Sequence, residues 1–440
     1  MTLPNPLPNG LPNDVVLGGQ RPLRGRLRVP GDKSMSHRAL MFAALATGPS
    51  HLVHVATGDD VAATRRCLER VGVRVKQSRD GSVSVRGTGA SGWREPDDIL
   101  DCTNSGTTMR LMAGILAGRP FLSVLTGDAS LRKRPMARVV EPLRRMGATL
   151  DGRDDGRYAP LSIRGGPLTG CRHELAIASA QVKSALILAG LQATGTTEVV
   201  SPALSRDHTE RMLAAFGAPI TVDGLVVRVS AGAPEPFDLV VPGDPSSAAF
   251  FVVAATITPG SDVVLEDVCL NPTRLAFVPV LQRMGADIEV VPRGARAGEP
   301  VGDLVVRAAD LNATVIEGDE VPSLLDEVPA LAMAAAFADG VTEIRDAAEL
   351  LVKESDRIGT LNQELSQLGV GCEPLPDGLI IRGGRPRPGQ LKSHGDHRVA
   401  MAGAVAANAL DGETTVRGWG AVASSYPEFL DDLASLTGTA

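Results

Sequence analysis

Aromatic residues are scarce. Two Trp, two Tyr and nine Phe in 440 residues leave little to stack on bases, and a formal charge of −7 argues against a general nucleic-acid binder. The five cysteines, at positions 67, 102, 171, 269 and 372, are odd in number and show no CxxC spacing. Neither a disulfide framework nor a zinc cluster is indicated, and free thiols in a reducing compartment are expected. The longest apolar run, beginning at residues 248–255, falls far short of the ~20 residues a membrane span needs. The first 20 residues carry proline and asparagine instead of the basic and apolar regions of a signal peptide. A cytoplasmic protein with no membrane and no nucleic-acid partner is expected.

What is present suits a globular protein. Apolar residues make up 43% and charged residues 22%, with a mean hydropathy of +0.06. The length exceeds what one core accommodates, so two domains are expected, with three as the upper bound. The stretch that organises the chain is residues 30–38 (PGDKSMSHR), which runs into the apolar segment ALMFAALATG. A strand-like run (LRGRLRV) stops at Pro30-Gly31, and a helix begins within a few residues, with Asp32 or Ser34 able to cap it. Free backbone N–H groups at that helix start, with Lys33, Ser34 and Arg38 beside them, make a compact site for phosphate or carboxylate. An ordinary capped surface helix explains this stretch equally well when it is taken alone.

The arrangement recurs. Residues 27–53 (LRVPGDKSMSHRALMFAALATGPSHLV) are matched by LVVPGDPSSAAFFVVAATITPGSDVVL from Leu239, and the same order can be traced from Asp101, Ile177, Leu325 and Lys392. A second helix repeatedly ends in Gly before a strand, at Gly72, Gly147, Gly217, Gly285 and Gly369, which suits a left-handed C-cap. Six units of about 70 residues imply repeats that bury their faces against one another. Three units per domain give two similar α/β domains. Residues 1–18 read as a loose tail outside the fold, and 1–30 as a tail and strand contributing to the second domain. The first domain is then 31–241 and the second 242–440.

Polar residues gather at the starts of the alanine-rich helices. Asn104, Ser105, Gly106, Thr107, Thr108 and Arg110 lie in the second unit, Ser179, Gln181 and Lys183 in the third, and Asp396, His397 and Arg398 in the sixth. Their recurrence with basic residues favours a convergent anion site over simple capping. LRKRP at 131–135 adds three cations in what is, taken alone, a solvated basic turn. SRDHTE at 205–210 suggests a helix start with a capping box. In VKESDRI (352–358) helical spacing places Lys353 and Arg357 on one face with Glu354 about 100° away, a pattern that a salt-bridged exposed helix explains nearly as well when it is taken alone. With Asp326 and Glu327 heading the preceding helix, a carboxylate would stand beside clustered cations, the pairing that proton transfer needs. GTGASG at 87–92 is followed by WREPDD where an apolar helix should start, so no dinucleotide site is expected. GDKS lacks phosphate-loop spacing, and HGDH (394–397) has no third ligand, so no metal and no cofactor are expected.

Together, PGDKSMSHR, NSGTTMR, LRKRP, SAQVK, SRDHTE, NPTR at Asn271, LLDEVP, KESDR and GDHR resemble the 5-enolpyruvylshikimate-3-phosphate synthase family over residues 20–435. The form with SAQ, RDHTE and NPTR is similar to a subgroup described as glyphosate-tolerant. The resemblance implies two inside-out α/β domains of three βαβαββ units each, the enolpyruvyl transferase fold, joined by a double-crossover hinge and closing on the substrates. It implies addition of shikimate 3-phosphate to phosphoenolpyruvate, a tetrahedral intermediate, then elimination of phosphate. By motif, Lys33, Asn104, Gly106, Thr107, Arg134, Gln181, Arg357 and Arg398 would hold phosphoenolpyruvate. Lys33, Ser34, Arg38, Ser179, Ala180, Gln181, Arg206, Asp326 and Lys353 would hold shikimate 3-phosphate. Asp326 would be the base for the 5-hydroxyl, Glu354 the acid that protonates the methylene and later removes a proton, and Lys33 would assist. A monomer is expected, with glyphosate as a candidate inhibitor.

The sequence departs from the better-known form at Ala180, where a second serine is usual, at Glu349, where asparagine is common, and at Ser424, about where many members place a lysine. Arg206 would stand in for the hydroxyl that Ala180 lacks, and the lysine contact to phosphoenolpyruvate stays unassigned. Gly106 is retained, so tolerance would need another cause. Three alternatives remain open. One is the cell-wall transferase acting on UDP-N-acetylglucosamine, whose usual loop cysteine is missing from residues 128–135. The others are a binding-only relative and a paralogue for another phosphorylated cyclitol.

Overall fold

The computed structural model describes residues 10–89 and 92–439. The first nine residues, Ala90 and Ser91 of the GTGASG stretch, and Ala440 lie outside them. The chain divides into two compact units. The first is Gly31–Val241 with Ala295–Glu299, and the second is Pro242–Gly294 and Pro300–Ala440 with Met1–Pro30.

The repeats seen in the sequence are repeats of topology. In the first unit Leu100–Asp101 leads through the helix Gly106–Ala117 to the parallel strand Leu122–Thr126. The helix Ala137–Arg145 and the antiparallel strands Thr149–Gly152 and Tyr158–Arg164 then complete the unit. Arg172–Glu174, Thr196–Val200, Val226–Ser230 and Ile220–Asp223 repeat this order. The sheet around Thr47–Val53 takes its parallel strand from Asp238–Val240, with Leu239 opposite Leu52. In the second unit Arg24–Leu27 runs parallel to Asp262–Cys269, and Val315–Ile316 parallel to Val341–Ile344. The sixth repeat ends after the helix Phe429–Thr437 and is completed by Asp14–Gly18, antiparallel to Glu413–Arg417. The tail reading of residues 1–18 is corrected at Asp14–Gly18, while its first nine residues lie outside the described ones. Asp14–Gly18 pairs over its full length, and its Val15 is buried.

Six helices are buried on every side instead of along one stripe. Pro245–Ile257 and His397–Ala409 are buried at all 13 positions each, and Val328–Phe337 at nearly all. A helix apolar all round can only be interior. The three pack on one another in the second unit, as Gly106–Ala117 and Ala180–Gly190 do in the first, with the sheets outside them. Small residues permit this. A Cβ at Gly114 would lie 2.2 Å from the Ala185 carbonyl oxygen, so those two backbones touch. Five of the few aromatics, Phe250, Phe251, Trp419, Tyr426 and Phe429, are gathered in one cluster of the second unit. The five helix-ending glycines all have positive φ, from 73° to 106°, the backbone state in which a Cβ is strained.

Burying the helices fixes where their starts must be polar. Interior helix ends leave N–H groups that need partners. Asp32, Ser105, Ser179, Asp244 and Asp396 cap five of the six through the backbone N–H groups of Met35, Thr108, Val182, Ser246 and Arg398. Among the described residues no helix is long and apolar enough to cross a membrane.

Candidate active site

In the first unit, three of these helix starts carry the sequence-predicted residues. Lys33 opens its helix, and its Nζ lies 3.1 Å from Asp60 Oδ2. Arg38, one turn on, is buried. It donates to Thr209 Oγ1 (2.7 Å), Ser184 Oγ (2.8 Å) and the Ser34 carbonyl (3.0 Å). His37 Nδ1 meets Thr64 Oγ1 at 2.6 Å, and Thr64 meets Thr108 Oγ1 at 2.7 Å, so hydroxyls tie the first helix to the second. Burial pushes the His37 imidazole well below its usual pKa, and Lys33 and Arg38 add to the shift.

Arg110 and Arg134 flank Gly106. A Cβ there would meet Arg110 Nη1 at 2.8 Å and Arg134 Nη1 at 3.4 Å. Arg110 donates to Gln181 Oε1 (2.5 Å), whose Nε2 donates to Thr107 Oγ1 (3.0 Å). Arg134 donates to Asn104 Oδ1 (2.6 Å), and Asn104 Nδ2 donates to Asp128 Oδ2 (2.7 Å). Of the LRKRP cations only Arg134 is held by this group. Arg132 bonds the Gly127 carbonyl, and Lys133 is exposed. Helix N-termini and guanidinium groups together give this surface the charge and the free N–H groups that suit an anion. Ser179 caps the helix that carries Gln181, and Ser179, Ala180 and Arg206 are half-buried.

The expected capping box at 205–210 does not form. Asp207 instead accepts from Arg211 Nε (2.7 Å), and Glu210 pairs with Lys183 at 2.6 Å, both buried. Lys183 therefore carries an internal ion pair and is not an exposed anion ligand.

In the second unit the residues of KESDR converge, but along a different route from the one expected. No helix spans 352–358. A 3₁₀ turn, Ala348–Val352, ends before Lys353, and Asp356 caps a new helix, Arg357–Gln367, through Gly359 N at 3.1 Å. Lys353 and Glu354 are thus loop residues, and the capping aspartate is the physical reason. Lys353 Nζ and Arg357 Nη1 lie 3.7 and 3.5 Å from Asp326 Oδ1, and Arg398 Nη2 lies 3.7 Å from Oδ2. Glu354 Oε2 accepts from Arg357 Nη2 at 2.8 Å.

Sequence reasoning placed Asp396 only at a helix start. It is the buried hub of this group. It accepts from Arg357 Nε (2.8 Å) and Nη2 (3.3 Å), from Ser355 Oγ (3.2 Å) and from Arg398 N (2.9 Å). Burial opposes its charge, yet Arg357 holds the carboxyl below the usual carboxylate range. Burial likewise opposes the charge on Arg357, and Asp396, Glu354 and Asp326 more than offset it, so the guanidinium stays protonated. Ser424 bonds the Ala421 carbonyl of its own turn, and Glu349 is half-buried in the turn before Lys353. Asp60, Asp128 and the role of Asp396 carried no signal in the sequence beyond being acidic, because their partners lie 24 to 39 positions away.

This chemistry is a cationic surface for anions in one unit and a carboxylate pair among cations in the other. The chain matches the EPSP synthase (3-phosphoshikimate 1-carboxyvinyltransferase) family over residues 17–433. It is 53% identical over 429 residues to a 3-phosphoshikimate 1-carboxyvinyltransferase of Chloroflexus aurantiacus, covering 96% of this chain and 98% of that one. Another, from Shouchella clausii, is 50% identical over 416 residues, covering 94% and 96%. A crystal structure of EPSP synthase from Acinetobacter baumannii superposes with a TM-score of 0.86 at 42% identity, covering 96% and 98%. An enolpyruvyl transferase from Streptomyces tendae, 20% identical over 96% of this chain and 97% of that one, shares the fold with a TM-score of 0.77. The chain belongs to the EPSP synthase family.

Proposed function

We infer that this chain transfers the enolpyruvyl group of phosphoenolpyruvate to the 5-hydroxyl of shikimate 3-phosphate and releases phosphate. The observation that carries the residue-level reading is the placement of Asp326 within 3.7 Å of Lys353, Arg357 and Arg398, with Glu354 on Arg357. Asp326 takes the proton of the 5-hydroxyl as its oxygen attacks C2 of phosphoenolpyruvate. Glu354 delivers a proton to C3, which becomes a methyl group. The tetrahedral adduct then loses phosphate, and Glu354 takes a proton back from C3, restoring the double bond. Lys33 assists these transfers. Positioned acids and bases of this kind contribute about 10²–10⁴-fold each.

Lys33, Asn104, Gly106, Thr107, Arg134, Gln181, Arg357 and Arg398 are assigned to phosphoenolpyruvate. Ser34, Arg38, Ser179, Ala180, Gln181, Arg206, Asp326 and Lys353, with Lys33, are assigned to shikimate 3-phosphate. Charge-assisted bonds of about 1.5–3 kcal/mol each offset the repulsion between two anionic substrates. Residues 31–241 and 242–440 with 1–30 are proposed as the two domains, and the chain crossings near residues 30 and 241 as the hinge. One chain carries every residue assigned, which supports a monomer. Phosphorylated substrates and five free cysteines support a cytoplasmic location. Glyphosate is proposed to compete for the cations assigned to phosphoenolpyruvate, and inhibition at low micromolar concentration would rule out tolerance.

The test is phosphate release from phosphoenolpyruvate, with shikimate 3-phosphate or UDP-N-acetylglucosamine as acceptor. Release with the first alone is expected. Release with the second, or with neither, would overturn the assignment.

A further inference from the structure

The NPTR motif has no place in the mechanism above, yet its arginine is among the most deeply buried in the protein. Arg274 is 1% exposed, and its Nη2 donates to Asp244 Oδ1 and to Ser246 Oγ, both at 2.9 Å. Asn271 shapes the motif's turn by accepting from Thr273 N and Oγ1, both at 2.8 Å. Ser246 in turn donates to Glu327 Oε1, and Glu327 is itself 1% exposed. Glu327 is the residue after Asp326 and the first flank of the helix Val328–Phe337.

The turn that carries Asp326 is thereby held at three points. Arg398 Nη1 donates to the Asp326 carbonyl at 2.9 Å, Arg357 Nη1 reaches the Leu325 carbonyl at 3.4 Å, and Ser246 holds the Glu327 side chain. Two of these anchors are cations assigned to substrate. The third runs through residues with no substrate role and ends on Arg274. Glu327 makes no side-chain cap of its own helix, so its carboxylate serves this anchor instead.

We propose that Arg274, acting through Ser246 and Glu327, is a positioning residue that fixes the turn bearing Asp326. The cation has a second duty, because Asp244 and Glu327 are two buried carboxylates converging on one serine. Arg274, bonded to Asp244 and to that serine, supplies a counter-charge to this acidic pair. This inference rests on Asp326 being the base.

The mild perturbation is Ser246→Ala, which cuts the link to Glu327 and leaves the Arg274–Asp244 pair. Steady-state rates and melting temperatures are measured for wild type, S246A, D326N and the double variant, with R274K as a second probe of the same link. S246A is expected to lower kcat about tenfold while the melting point moves by no more than a few degrees. In the D326N background it is expected to change the residual rate less than twofold, because the group being positioned is gone. R274K, which keeps the charge but not the planar guanidinium that aims Nη2 at both acceptors, is expected to fall between wild type and S246A. Unchanged kcat in S246A, or equal fold-losses in the two backgrounds, would overturn the proposal. Full activity in D326N would overturn the base assignment beneath it, an outcome recognisable without any Ser246 variant.

Discussion

Replacing Asp396 by asparagine separates the charge of the hub from its shape. The side chain keeps one oxygen, enough to go on capping the helix at Arg398 N, and asparagine is as good an N-cap as aspartate. The change removes the counter-charge of Arg357, a guanidinium with no exposed side-chain surface, and turns an NH₂ group toward its donors. Breaking a buried pair by removing one partner costs about 3–5 kcal/mol. Glu354 and Asp326 still face Arg357, which places the loss toward the lower end of that range. For units of some 200 residues, at ~2–4 °C per kcal/mol, the melting point should fall by roughly 10 °C. Scanning calorimetry reads this directly.

The pH dependence supplies the second half of the test. The folded pKa of Asp396 is depressed below its unfolded value of about 3.9, so the stabilisation is complete above that value and is lost as pH falls through the folded one. The gap between wild type and D396N should therefore be constant from pH 7 to about 5 and close in stronger acid. A gap below about 2 °C at neutral pH, or one that persists unchanged in acid, would refute the reasoning.

Gly106→Ala should raise KM for phosphoenolpyruvate about tenfold or more, since its Cβ displaces Arg110 and crowds Arg134, while urea unfolding shows a loss of no more than about 1–2 kcal/mol, the cost of the Arg110 hydrogen bonds disturbed. Glu210→Ala strands buried Lys183 and should cost about 3 kcal/mol in urea unfolding, whereas K183M/E210L together should cost less than the single change. His37 is held neutral in the fold, so wild-type stability should fall as pH drops from about 6.5, where the unfolded imidazole begins to bind a proton; in H37Q that slope should flatten, and an unchanged slope would contradict the assignment.

The fold was legible in the sequence where local chemistry dictates it. A buried helix must begin with a capping side chain and end with a residue that tolerates positive φ, so Asp32, Ser105, Asp244 and Asp396, and the glycines from Gly72 to Gly369, mark the repeats without reference to contacts. The inside-out packing came from family resemblance, because an alanine-rich segment does not itself reveal what covers it. Two local readings failed because a side chain counted as part of a helical pattern had another role. At 352–358 Asp356 caps a new helix at Gly359 N instead of lying inside one, and at 205–210 Glu210 pairs with Lys183. The N-terminal strand was missed because Asp14–Gly18 is short and pairs with residues some 400 positions away. The candidate site residues were named from motifs, and what spacing could not supply was the set of acids that hold them: Asp60 on Lys33, Asp128 on Asn104 and Asp396 on Arg357.

The central claim is that Glu354 moves a proton onto C3 and off again while the bond to the acceptor forms. Turnover of phosphoenolpyruvate and shikimate 3-phosphate in D₂O, followed by mass spectrometry of the enolpyruvyl product, tests it most directly. Protonation of C3 makes a methyl group that carries one solvent deuteron, and the proton removed afterwards need not be the one added. Deuterium is expected in the product methylene of the wild-type reaction, and in Glu354→Gln a loss of labelling and phosphate release together, by about 10²–10⁴-fold, with the melting point lowered by no more than the few degrees that loss of one partner of Arg357 accounts for. Phosphate release with an unlabelled methylene, or wild-type labelling in E354Q, would contradict it.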